Sequence, residues 1–205
     1  MITLSLVAVV LALLLGAMSP GPSFVLVVRT AAANSRNCAI ATALGMGIGG
    51  IIFAAAALFG LQILLTAVPT LYLVFKIAGA IYLLYLAVKL WMGADNQLSI
   101  GNNTQRLDWK KSFGLGLATQ LSNPKTAIVY ASIFTAFLSA ERPSWSFAVL
   151  IPCVFAVEFG WYCVVAVAFS AEIPRRGYFR FKRWIDRAAG AVMGLLAVRI
   201  VADSR

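Results

Sequence analysis

The chain has 205 residues, of which 61% are hydrophobic and only 12% charged, and its mean hydropathy is +0.90. A soluble domain carries about a quarter charged residues, so this composition predicts a single all-α integral membrane domain over residues 1–205. The net charge of +10 does not indicate a nucleic-acid partner, because a basic groove with aromatic side chains needs a soluble surface that this chain barely has.

The first predicted membrane span covers residues 3–28, in a stretch without any charge. No Lys or Arg precedes its apolar residues and it runs on too far for a signal peptide, so we predict a retained helix. The middle of the span is interrupted by Ser19-Pro20-Gly21-Pro22-Ser23. The first proline lacks an N–H and the second suits the first turn of a new helix, which predicts two half-helices.

The second and third predicted spans cover residues 39–65 and 70–92. No charge occurs between Cys38 and Phe75, a stretch too long for one helix of about 20 residues. Pro69 suits the first turn of a helix and splits this stretch in two. The polar residues that follow, rich in Gly and Asn, predict a loop over 93–111.

The fourth predicted span, 112–139, contains the second interruption, Asn123-Pro124-Lys125. Asn is a good N-cap and Pro a good first helical residue, so a new half-helix is predicted to begin here. A cation near the middle of a span costs at least about 2.5–3.5 kcal/mol, so Lys125 requires a partner or a water-filled cavity. Gln120, one turn earlier, is expected to face the same space.

The fifth and sixth predicted spans cover residues 145–171 and 186–202. Glu158, near the middle of the fifth, is interpreted as the only acid within any span. The same cost argument predicts that it pairs with another group or carries protons.

Other features indicate packing rather than chemistry. Cys38, Cys153 and Cys163 have no metal or redox spacing, so they are interpreted as buried small hydrophobic residues. The chain has no histidine, and neither a metal site nor a cofactor is predicted. Glycines in the segments 45–50, 79–80 and 114–116 are predicted to allow close helix packing.

The loop 93–111 divides the chain into halves, 1–92 and 112–205, with three predicted spans each. Because three is odd, the second half must enter the membrane from the opposite side, which predicts an inverted repeat whose broken helices, one and four, are equivalent. Twelve Lys and Arg residues lie on the side of this loop and three on the other, with Lys76 just inside the third span. Basic loops face the cytoplasm, so both termini are predicted to lie outside. The basic run over 175–187 could in addition form an amphipathic surface helix that binds anionic lipid.

The two interruptions predict a binding site. The N-terminus of a half-helix offers free N–H groups and a positive dipole end, which suit a carboxylate, and Ser19 and Ser23 add hydroxyls. Lys125 suits the same carboxylate and Glu158 suits an ammonium, so a zwitterion is the predicted ligand. The alternative interpretation is a purely structural Lys125–Glu158 ion pair.

Four motifs in register resemble the LysE/RhtB family of bacterial amino acid exporters: SPGPSF, GAIYLLYLAVKL, NPKTAIVY and FKRWIDRAAGAVMGLLAVRI. The resemblance covers essentially the whole chain. It implies export of small amino acids or related metabolites, of the threonine, homoserine or lysine kind, across a bacterial inner membrane. It further implies a multi-pass secondary transporter with protons as the coupling ion, and it leaves room for a homodimer. The family's break residues map onto Pro20, Gly21 and Pro22, and onto Asn123, Pro124 and Lys125.

One position departs from the family, because many members carry an acid where this chain has Gly50, in the pair Gly49-Gly50. Glu158, in the corresponding helix of the second half, is the candidate to replace that acid. An exporter of metal or other ions is the alternative function, although the lack of histidine, of an Asp within the spans and of cysteine pairs argues against it. An intramembrane enzyme would have only Lys125 and Glu158 as a catalytic pair and is not expected.

Overall fold

The structure, a computed structural model, describes residues 2–67, 69–94, 107–137 and 145–202. The described residues are helical and contain no strand, as the composition predicts. The helices are α1 (Ile2–Met18), α2 (Pro22–Ala33), α3 (Arg36–Ala67), α4 (Pro69–Gly93), α5 (Trp109–Leu121), α6 (Pro124–Phe137), α7 (Trp145–Phe169) and α8 (Glu172–Ala202).

Both predicted interruptions are present. Helices α1 and α2 form a bent pair with an angle of 56° at the break, and Gly21 is the extended N-cap that precedes Pro22. Helix α5 ends at Leu121 and α6 begins at Pro124. The missing N–H of proline explains why a helix starts at each of these positions rather than continuing through them.

Two described helices are long and apolar enough to cross a membrane, over Arg36–Gly60 and Phe147–Phe169, and the bent pair α1–α2 is a third candidate. The part of α4 over Ile77–Gly93 is a shorter apolar helix. Every predicted span coincides with one helix or with a broken pair, but the count of six spans stays a prediction.

The boundaries agree with the predicted ones to within about three residues, except at the end of the first span and in the last helix. The first span was predicted to end at residue 28, and α2 ends at Ala33. Helix α3 ends at Ala67 and α4 begins at Pro69, so the predicted split is confirmed. Helix α8 begins at Glu172, far earlier than the predicted start at residue 186, and the basic run lies on this same helix. Arg and Lys are good helix formers, so the helix extends through the basic run, which a count of apolar residues had left outside the span. The predicted loop falls largely on residues 95–106, outside the described residues.

Helix α3 packs along both α5 and α7, while α4 packs along α8. Glycines allow the backbones of α3 and α5 to touch: a Cβ at Gly45 would clash with the Phe113 carbonyl oxygen, and one at Gly116 with the Thr42 carbonyl oxygen. The packing role predicted for these glycines is confirmed. The same prediction is wrong for Gly114, where a Cβ would meet nothing within 4 Å.

Two clusters of buried apolar side chains form the core. One joins α1, α3, α4, α6, α7 and α8, and the other joins α2, α3 and α7. Leu13 and Tyr130 of the first cluster and Tyr162 of the second line one small cavity, so the clusters meet there. The cysteines are free and buried or half-buried, as predicted. The fold thus places the two helix breaks at the meeting point of its two cores.

Candidate functional site

The two helix breaks contact each other through Lys125. Its ammonium donates to the carbonyl oxygens of Gly16, at 3.1 Å, and Ser19, at 2.9 Å. These carbonyls belong to the C-terminal end of α1, where the last four C=O groups lack partners within the helix. The ammonium therefore also interacts favourably with the negative end of the α1 dipole. Through these hydrogen bonds Lys125 links the second break to the first.

The N-cap predicted at Asn123 is confirmed, since its Oδ1 accepts from the Lys125 backbone N–H at 3.1 Å. This bond occupies one of the N–H groups that we expected to be free for a carboxylate. Ser19 Oγ, by contrast, is buried and has no hydrogen-bond partner among the described residues. Ser19 therefore retains an unused polar atom beside the break.

A chain of buried hydrogen bonds leads away from the breaks. Asn123 Nδ2 donates to Ser23 Oγ at 3.0 Å, and Ser23 Oγ donates to Gln120 Oε1 at 2.7 Å. Gln120 Nε2 donates to Glu158 Oε2 at 3.0 Å, and Tyr130 OH donates to Glu158 Oε1 at 2.9 Å. All five residues are at most 4% exposed. The chain connects α2, α5, α6 and α7 through one carboxylate.

Glu158 occupies the space in front of Gly50. A Cβ built on Gly50 would lie 3.0 Å from Glu158 Cγ and 3.2 Å from the Tyr130 hydroxyl. A larger residue at this position would collide with the glutamate unless one of them moved. The glycine in α3 and the acid in α7 are therefore two parts of one arrangement.

The predicted alternative of a Lys125–Glu158 ion pair is not what the structure has. Lys125 donates to backbone carbonyls of α1, and the two oxygens of Glu158 accept from Gln120 and Tyr130. Each of the two charged groups thus has hydrogen-bond partners that do not include the other.

Two cavities adjoin at the breaks, and Lys125 lines both of them. The inner cavity, of about 20 Å³, holds about one water molecule and extends to Glu158. The outer cavity, of about 530 Å³, lies against one face of α4 and against Asp186, near the middle of α8. Both are lined by Ser19, Gly21, Asn123 and Lys125.

The structure brings together all ten residues predicted for the site. Six line the inner cavity: Ser19, Gly21, Ser23, Asn123, Lys125 and Glu158. The three prolines, Pro20, Pro22 and Pro124, line the outer cavity, and Gln120 joins the two breaks to Glu158.

Sequence reasoning missed two polar residues here. Tyr130, the last residue of the motif NPKTAIVY, donates to Glu158, and its place in that motif was the available signal. Asp186 is only 3% exposed and lines the outer cavity, which corrects the interpretation of Glu158 as the only acid within a span. Its position as the first residue of the sixth predicted span was the available signal. Within the described ranges no group of three potential metal ligands occurs.

Comparison with known proteins gives matches over nearly the whole chain. The LysE type translocator family matches residues 14–204. The chain is 32% identical to the uncharacterised membrane protein YahN of Escherichia coli K12 over 184 residues, covering 89% of this chain and 82% of that protein. It is 30% identical to the threonine efflux protein of the same strain over 187 residues, covering 90% and 91%. No solved structure matches it. These matches agree with the resemblance that the motifs indicate.

Proposed function

This chain belongs to the LysE type translocator family, and on that premise we propose that it exports small amino acids or related metabolites across the bacterial inner membrane. Threonine is the first candidate substrate, because the threonine efflux proteins of Escherichia coli and Salmonella typhi are 30% and 31% identical to this chain. The export is secondary transport driven by the proton gradient.

The observation that carries the proposal is the meeting of two broken helices at two opposite charges, the buried Glu158 and the half-buried Lys125. An intramembrane ionisable group is costly and indicates a transport or proton pathway, and paired broken helices are typical of substrate sites in secondary transporters. Lys125 and the hydroxyl of Ser19, which has no hydrogen-bond partner in the part of the chain that the structure describes, suit the substrate carboxylate. Glu158 suits the ammonium or the coupled proton.

The packing supports an inverted repeat of three spans in each half, over 1–92 and 112–205. A two-fold axis that exchanges the halves would pair α3 with α7 and α4 with α8, and both pairs pack together. The same axis would place α1 on α5 and α2 on α6. The contact between α1 and α6 would then be equivalent to the contact between α5 and α2, and both contacts exist. The two breaks then occupy equivalent positions on either side of the axis.

The inner cavity supports alternating access. Its volume of about 20 Å³ is far below the roughly 300–1,000 Å³ of ligand pockets, so an amino acid reaches Glu158 only after the breaks move apart. Broken helices can do this without losing regular helix bonds. We infer that the structure is a conformation open to one side of the membrane. The outer cavity is its opening, and the residues around the small inner cavity form the barrier that a substrate has yet to cross.

The experiment is transport into inside-out membrane vesicles that contain the overexpressed chain. A panel of radiolabelled amino acids is offered outside, with and without an imposed proton gradient, and an uncoupler provides the control. We expect uptake of threonine or a similar small amino acid that collapses with the uncoupler. Uptake of cadmium in place of every amino acid would favour the alternative metal exporter and contradict the proposal.

A further inference from the structure

The outer cavity has the dimensions of a ligand site and its own charges. At about 530 Å³ it lies within the usual range for small-molecule pockets. Tyr82, Tyr85 and Lys89 line it from one face of α4, and Asp186 lines it from α8. Lys89 holds its ammonium 5.6 Å from the centre of the Tyr85 ring. The cavity thus offers both a negative and a positive side chain. A lipid tail would need neither charge and a simple ion only one, so the pair favours a ligand that carries both charges.

Lys125 closes the floor of this cavity. Its ammonium reaches across to the carbonyl oxygens of Gly16 and Ser19, and its side chain lies 3.5 Å from where a Cβ on Gly21 would be. Lys125 also lines the inner cavity, which extends to Glu158. The position of Lys125 therefore decides whether a solute in the outer cavity can reach the inner one.

We propose that the outer cavity is a separate admission site for the amino acid, where Asp186 binds the substrate ammonium and the substrate carboxylate draws Lys125 away from α1. This proposal rests on the proposed export function and adds a first binding step before the inner site.

The chemistry favours this sequence of contacts. A carboxylate makes a charge-assisted hydrogen bond to an ammonium with charge on both partners, whereas the carbonyls of Gly16 and Ser19 are neutral acceptors. A zwitterion can therefore compete for Lys125, while an amine without a carboxylate cannot. Asp186 and Lys125 line the same cavity, so one zwitterion can address both groups. The contact between the substrate carboxylate and Lys125 therefore both selects the ligand and opens the way to the inner cavity.

The first test compares kinetics in the inside-out vesicles. Asp186→Asn keeps the side-chain shape and removes the charge, and we expect the KM for threonine to rise about tenfold or more, as the loss of one charged hydrogen bond does. Competition by 2,3-dihydroxybutyrate, which has a hydroxyl in place of the ammonium, should be unchanged by the substitution. The matched control is Asp108→Asn, the same change at the exposed N-cap of α5.

The second test does not depend on the folding of any Asp186 variant. A cysteine at Leu90, which lines the outer cavity, is placed in a chain whose own three cysteines are alanine. We expect threonine to slow its reaction with a thiol reagent at least threefold, and to do so also when Glu158→Gln is present. A cysteine at Val88, an exposed residue of α4 that is not among the cavity's lining residues, provides the control and should be unaffected.

The outcomes separate the two proposals. If wild-type vesicles move no amino acid, both the export function and the admission site are overturned. Suppose instead that the vesicles transport threonine. If Asp186→Asn then leaves the KM for threonine unchanged, or weakens competition by 2,3-dihydroxybutyrate to the same extent, the admission site alone is overturned. Loss of protection at Leu90 on Glu158→Gln would likewise overturn it, because the ligand would then bind only at the inner site.

Discussion

At the scale of single residues, Lys125 and Glu158 place opposite charges in one apolar interior, and each is bound by groups other than its opposite. Lys125 donates to backbone carbonyls, and Glu158 accepts from two side chains. Removing one partner of a true buried ion pair leaves an uncompensated charge and costs about 3–5 kcal/mol. Here each group keeps its hydrogen bonds when the other is neutralised, so the two charges are not one structural unit.

Glu158→Gln is therefore expected to stop transport without preventing folding. The amide keeps the volume but can accept from only one of the two donors, Gln120 and Tyr130, which costs about 1–3 kcal/mol for the donor left unsatisfied. We expect folded protein in the membrane and less than a tenth of wild-type threonine transport, measured by yield in detergent and by vesicle uptake.

The double variant Lys125→Met with Glu158→Gln distinguishes function from pairing. If the two residues served only to neutralise each other, the neutral pair would recover both expression and transport. Since they do not contact each other in the structure, we expect no recovery of transport. Recovery would contradict the assignment of Glu158 to the transport site.

At the scale of helices, the contact between α3 and α5 depends on two glycines that face the opposite backbone. A Cβ at Gly116 would clash with the Thr42 carbonyl oxygen, and backbone cannot rotate away as a side chain can. Helix α5 carries Gln120 one turn later, and that side chain bonds to both Ser23 and Glu158. Displacing α5 therefore displaces the centre of the hydrogen-bond chain.

Gly116→Ala and Gly114→Ala form a matched pair, two residues apart on α5. Overpacking costs about 1–3 kcal/mol, so we expect Gly116→Ala to lower the melting temperature by several degrees and to reduce transport. Gly114→Ala, which meets nothing within 4 Å, should match the wild type or exceed it, because alanine favours helix. Thermal unfolding in detergent gives the melting temperatures of both variants. Equal values would contradict the prediction, because they would show that α3 and α5 can move apart without loss of stability.

At the scale of the whole molecule, the outer cavity reaches Gly93 at the end of α4. The predicted loop 93–111 comes next along the chain, on the side that the six-span topology predicts to carry twelve of the basic residues. That side is predicted to be cytoplasmic. An exporter must take its substrate from the cytoplasm, so the cavity and the charge bias favour the same orientation.

The orientation is tested with a cysteine at position 101, again in a chain without its own cysteines. In intact cells with a permeabilised outer membrane, an impermeant thiol reagent should not label it, while a cysteine added at either terminus should react. Lysis before labelling provides the control that position 101 is reactive. Ready labelling in intact cells would reverse the topology and, with it, the direction in which the outer cavity opens.

The sequence by itself determined what depends on neighbouring residues. The lack of charge required helices, and Pro20, Pro22 and Pro124 placed the breaks, because a missing N–H acts within one turn of the chain. The cap at Asn123 is local in the same way. The cost of an ionisable group in an apolar segment was enough to single out Lys125 and Glu158.

Only the tertiary structure decided which of these groups meet. Helices α3 and α7 are apolar around their whole circumference, so no periodicity indicates which face of each points inward. The rotation of each helix about its own axis decides which side chains point inward. It accounts for the contact between Tyr130 and Glu158, the burial of Asp186 and the difference between Gly114 and Gly116. Packing between segments distant along the chain fixed it, and local sequence carries no record of such packing.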